Sequence, residues 1–130
     1  MSKYIDRAKE LRKDIDRHYN CCQAVLIPFC DDLGISVEAA YKIASGFGSG
    51  MKSGKVCGAI VGGIMVLGLY GLDTPQNIAA IFDDVKANHD GLVDCKDLLA
   101  LNKEKGQDKA NHCDNMVYQV IGAVERIMEL

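Results

Sequence analysis

The seventeen residues from Val56 to Leu72 carry no charge, and five of them are glycine. An uncharged run of that length has two homes, a lipid bilayer or the middle of a protein core. It lies at the short end for a bilayer, no Trp flanks it, and the segments on either side are amphipathic, so we expect a buried helix and no membrane span. A helix buried on most sides needs other helices to cover it. Strand alternation is scarce in the rest of the chain, while three- and four-residue apolar spacing recurs in segment after segment. The expected fold is therefore all-α, a single-domain bundle of about six to seven helices over residues 1–130 around a buried Gly-rich apolar helix. With 48% hydrophobic and 25% charged residues, the chain has enough apolar mass for such a core.

Local signals place the elements. A first helix is expected from about Lys3 to Tyr19, with Ile5, Ala8, Leu11, Ile15 and Tyr19 inward. Asn20 caps a second that runs to Leu33 through Pro28 and stops at Gly34. Ser36 caps a third, Val37 to about Ala44, and a glycine loop follows. After the apolar segment, Pro75 at a first helical position opens a fifth helix to about Asn88. Asp94 caps a short helix from Cys95 to Leu101, and Asn111 caps a last one, His112 to Leu130.

Six cysteines stand out against this frame. Cys21 follows Asn20, Cys95 follows Asp94, Cys113 lies just after Asn111, and Cys57 follows the glycine loop, which puts four cysteines at four expected helix starts. A helix N-terminus carries unpaired N–H groups and about half a positive charge, a setting that favours thiolate over thiol. Converging, the four would make either a reactive dithiol pocket or a four-sulfur ligand set. Their separations of 36, 38 and 18 residues are far wider than a CxxC pair and do not choose between the two. Cys22 points about 100° away from Cys21 around the helix. Cys30, beside Phe29, reads as a small buried apolar residue. Cysteine is also among the most buried residue types, so packing alone is the competing explanation for all six.

The stretches NCCQAVL, SGFGSGMKSGKVCGAIVGGIMVLGL, LVDCKDLL and HCDNMV resemble the redox-active protein family named for its cysteine pattern, C_GCAxxG_C_C. The likeness covers nearly the whole chain after the first helix. It implies a helical fold and a redox or metal-binding role, and it carries over four positions: Cys21, Cys57, Cys95 and Cys113. Cys22 stands where such sequences usually have alanine, and Cys30 lies outside the pattern.

Other motifs fall short of their chemistry. GSGMKSGK has five residues between Gly48 and Gly54 where a phosphate loop needs four, and Val56 replaces its Ser/Thr. KANHDGLVDCKD has the outline of a calcium loop, but Lys86 occupies the first ligand position, so a helix-ending turn is expected. His18, His89 and His112 are expected at the surface, with His112 the one that could join a metal set beside Cys113. Gly58, Gly62 and Gly63 clear a helix face for close approach of another backbone. A net charge of −3 with no basic cluster gives no footprint for nucleic acid. The charged first twenty residues show no apolar leader segment, and the cytosol is the expected compartment.

The leading expectation is a redox protein with its site at Cys21, Cys57, Cys95 and Cys113, acting as redox thiols or as ligands of a metal ion such as zinc or an iron–sulfur cluster, with a redox partner and a homodimer plausible. The alternative is a helical module for ligand or protein interaction whose cysteines are core packing.

Overall fold

Side-chain caps set most of the helix starts. In the computed structural model, which describes residues 2–129, α1 (Lys3–Lys13) starts under the Ser2 hydroxyl, which accepts from the Tyr4 and Ile5 N–H groups. α2 (Cys21–Leu33) begins with a capping box: Gln23 N–H donates to Asn20 Oδ1 at 2.8 Å, and Asn20 N–H donates to Gln23 Oε1 at 2.7 Å. It runs through Pro28 and ends at Gly34, whose φ of +70° is the left-handed cap glycine takes without strain. α3 (Val37–Ala44) is capped by Ser36, and α5 (Pro75–Asn88) by Thr74 with Pro75 in its first turn. Between them lie a tight turn, Gly50–Gly54, and the apolar helix α4 (Gly58–Leu69). α6 (Cys95–Glu104) and α7 (Lys109–Met128) complete the chain. Among the described residues there is no strand, only one isolated bridge between Val56 and Asp94.

Three helices depart from expectation: α6 runs three residues past Leu101 to Glu104, and α1 and α7 differ each for a local reason. α1 stops at Lys13, because the Asp14 carboxylate accepts from the Asp16 and Arg17 N–H groups and turns the chain out of the helix. Ile15, expected inward, is 95% exposed, whereas Tyr19 reaches the core from the loop. α7 starts three residues early. Asp108 is its cap, accepting from Asn111 N–H at 2.8 Å, so Asn111 lies inside the first turn. The expected end at Leu130 falls outside the described residues.

α4 is the centre of the bundle. It packs against α2, α5 and α7, and Ala59, Ile60, Val66 and Leu67 are fully buried. Each large aliphatic side chain so placed contributes roughly 1.5–3 kcal/mol relative to exposure. The glycines allow the contact. A Cβ on Gly62 would lie 2.8 Å from the Cys22 carbonyl oxygen, and one on Gly58 would lie 2.8 Å from that of Phe47 and 3.5 Å from Cys21 Cβ. Close approach of the α2 backbone to α4 therefore requires residues without side chains at both positions, and it sets the start of α2, with Cys21, against the start of α4, with Cys57. One continuous cluster of buried residues draws on all seven helices. Among the described residues no helix is long and apolar enough to cross a membrane.

Candidate thiol site

Four segments deliver four sulfurs to one cavity. Cys21 is the first residue of α2, fixed by the Asn20 capping box. Cys57 is the cap residue of α4, one position before the first turn. It is held beside Cys95, the first residue of α6, by a short antiparallel clasp: Cys57 N–H donates to the Val93 carbonyl at 2.9 Å, and Cys95 N–H donates to the Lys55 carbonyl at 2.6 Å. The clasp also satisfies a helix-start N–H that would otherwise lack a partner. Cys113 comes from the second turn of α7. All four line a narrow cavity of about 40 Å3, together with His112 and Met116. That is room for a water molecule or two and no more.

The other two cysteines are elsewhere. Cys22 is fully buried, with its sulfur 3.8 Å from the Met65 sulfur, and burial pushes its thiol up to about 12. Cys30 is 2% exposed on the opposite side of α2, and burial raises it to about 11. Cys30 is thus the small buried residue expected, and Cys22, expected only to point away from Cys21, is buried as well.

Within the cavity the four thiols are not equivalent. Cys57 faces the Ala59 and Ile60 N–H groups, which favour its thiolate, yet burial outweighs them and raises it to about 11. Cys95 is likewise raised, by burial first and then by the nearby Cys113. The helix-start effect expected at all four sites thus loses to desolvation at these two. Cys21 and Cys113 line the same cavity and titrate as neighbours. Cys21 is raised well above the ordinary thiol range, chiefly by the neighbouring Cys113 and then by burial. Cys113 is lowered to about 7, first by the neighbouring Cys21 thiol and then, against the effect of burial, by the charges of Arg12 and Lys109. Since Cys113 sits beyond the first turn of α7, its acidity owes less to a helix terminus than its expected position implied.

Arg12 is the residue that reading the sequence missed. Its side chain, 12% exposed, donates from Nε to Asp114 at 2.6 Å and from Nη1 to the Tyr19 carbonyl at 2.8 Å. These bonds hold a cation against the Cys21–Cys113 pair. Nothing in the charged pattern of α1 singles it out. His112 was expected at the surface and is 7% exposed instead. His112 stands four residues before Met116 and eight before Val120, and so lies on the buried face of α7. Its proton affinity is lowered by burial and by His89, whose ring lies edge-on with centroids 6.0 Å apart. His89 is oriented in turn: the Gln119 amide nitrogen donates to Asp84, so Gln119 Oε1 accepts from His89 Nε2–H at 2.9 Å. Of the three histidines only His18 is at the surface as expected.

Among the described residues no group of three or more Cys, His, Asp or Glu side chains forms a set that could hold a metal ion. The calcium-like stretch is the end of α5, a left-handed turn at Asp90–Gly91 and the start of α6.

Searches of the curated proteins and of the solved structures return no match to this chain. Residues 19–127, from just before the Asn20 cap to the last turn of α7, do match a family model, and the chain belongs to that family, described as "Putative redox-active protein (C_GCAxxG_C_C)".

Proposed function

We propose that the protein is a thiol–disulfide oxidoreductant in which Cys113 is the attacking thiolate and Cys21 the resolving thiol. The observation that carries this is the pairing of these two sulfurs, one held protonated and the other pulled toward neutral pH beside Arg12. A thiol with a pKa near ambient pH combines a useful thiolate fraction with retained nucleophilicity.

The chemistry balances with an external disulfide as oxidant. The Cys113 thiolate attacks one sulfur of that disulfide, forming a mixed disulfide and releasing one thiolate. Cys21 then attacks the Cys113 sulfur, closing a Cys21–Cys113 disulfide and releasing the second thiolate, which takes the Cys21 proton. Two protein thiols are oxidised and one external disulfide is reduced to two thiols. The second step is favoured by the first. Once Cys113 has lost its charge, the main cause of the raised Cys21 pKa is gone, while Arg12, which favours the Cys21 thiolate, remains. Cys57 and Cys95 stay protonated at neutral pH and line the same cavity, where they can exchange with the outer disulfide.

A metal or iron–sulfur site at Cys21, Cys57, Cys95 and Cys113 is the other version of a redox role. It would need three or four of these sulfurs to close on one point; no such group is found among the described residues, and no step here runs through it. The packing-only alternative leaves the acidity of Cys113 without a use.

The test is a titration of anaerobically reduced protein with a small disulfide, followed by peptide mapping. We expect two thiols per chain to oxidise first, mapped to Cys21 and Cys113, with Cys57→Ser/Cys95→Ser retaining the reaction and Cys113→Ser losing it. Near-stoichiometric zinc or iron in untagged protein purified without oxygen, lost in Cys57→Ser, would overturn the proposal in favour of the metal version.

A further inference from the structure

Resting on the dithiol reading above, the geometry points to the class of its oxidant, and we infer that it is a small anionic disulfide, one carrying carboxylate or similar groups. The 40 Å3 cavity is too small to admit any disulfide. Beside it opens a cleft of about 350 Å3 with Cys21 and Cys113 in its wall, a volume at the low end of small-molecule sites. Disulfide exchange requires the incoming S–S bond to reach these sulfurs, and this cleft is the way in.

The charged side chains lining that cleft are Arg12 and Lys109, with the Ser49 hydroxyl and His18 beside them and no carboxylate. Arg12 is tied to Asp114, which is the nearest acidic group and is itself occupied by that ion pair. Lys109 is exposed, and among the described residues it makes no ion pair, so its charge is free to meet a ligand. The positive end of α2 opens there as well, since Cys21 is its first residue, whereas that of α7 is covered by the Asp108 carboxylate that caps it. The chain as a whole carries a net charge of −3, so this cleft runs against the average of its surface. A negatively charged disulfide would otherwise be repelled by the Cys113 thiolate it must approach. The cationic mouth offsets that repulsion and raises the local concentration of anions.

Three disulfides of similar length and different charge test this: dithiodiglycolate (dianion), 2-hydroxyethyl disulfide (neutral) and cystamine (dication). Each is reacted with the reduced protein at low ionic strength, and each rate is divided by that of the same disulfide with a free small thiol. The normalised rates should fall in the order dianion, neutral, dication, with about tenfold or more between the extremes. Added salt should close that gap, because exposed charges are screened. Lys109→Gln should narrow it several-fold and Lys109→Glu should reverse it, both read as the ratio of the dianion rate to the 2-hydroxyethyl disulfide rate of the same variant, because Lys109 also lowers Cys113 and a change in its thiolate fraction cancels in that ratio. Equal normalised rates for the three, or a gap indifferent to both salt and Lys109, would overturn the inference and leave the dithiol couple intact. If none of the three oxidises Cys21 and Cys113, the couple itself fails, and this inference fails with it.

Discussion

Arg12 and Cys113 meet although they come from opposite ends of the described chain, and the meeting sets the chemistry of the sulfur. The guanidinium is fixed by Asp114 on one side and by the Tyr19 carbonyl on the other, so its charge cannot swing away from the thiol pair. Arg12→Met should therefore move the midpoint of Cys113 alkylation from about 7 toward the ordinary thiol range of about 8.5. The sign follows from the cause: removing a nearby cation makes the thiolate harder to form, so the rate at neutral pH falls and recovers as pH rises. Cys21→Ala should shift it the same way, by removing the proton donor. Rates of iodoacetamide modification at Cys113 across pH 5 to 10, read by mass spectrometry, check both, and a midpoint unmoved by either change would mean that these neighbours do not control the sulfur. At this scale the sequence was half legible. Cys21, Cys57, Cys95 and Cys113 could be picked out because each stands near a residue able to start a helix. Arg12 could not, because its role arises only where α1 crosses α7.

Among the elements, the pairing of α2 with α4 depends on missing side chains. Gly62→Ala adds a methyl group 2.8 Å from the Cys22 carbonyl oxygen and 3.0 Å from Val25 Cβ, where backbone and a packed side chain cannot both yield. The helix-propensity gain of about 1 kcal/mol is then outweighed by overpacking, and we expect a net loss of roughly 1–3 kcal/mol. Gly68→Ala on the same helix meets nothing within 4 Å and should gain about 0.5–1 kcal/mol. Urea unfolding of the two variants decides the matter, since equal effects would mean that close approach plays no part. The caps of α2, α3 and α5 were readable because a capping bond spans only three residues. The start of α7 was not, because both Asp108 and Asn111 can cap and only packing decides between them. The end of α1 was missed for a similar reason, the apolar spacing continuing through Ile15 while Asp14 turned the backbone away. His112 was missed for a different reason: it shares a face with Met116 and Val120 whichever residue starts the helix, but a histidine was expected to stay at the surface.

For the whole molecule, the Cys21–Cys113 pair joins the second helix to the seventh. A disulfide there would close a loop through most of the chain, and limiting the unfolded state in this way is worth typically 2–4 kcal/mol. Oxidised protein should resist urea by about that margin over reduced protein, with the difference abolished in Cys21→Ala; no difference would indicate that the bond forms only with distortion of the bundle. The all-helical fold was legible from one uncharged segment because a helix buried on most sides constrains everything around it. The convergence of four helix starts was not, since it depends on how the helices cross and not on what any of them contains. The ion pair between α1 and α7 has a further meaning for the chain as it is made. α7 is synthesised after the other six helices, and until it docks beside Arg12 every cysteine is an ordinary thiol with little thiolate at neutral pH. The lowered pKa of Cys113 is thus a property of the completed fold, absent until α7 has docked beside Arg12 and Cys21.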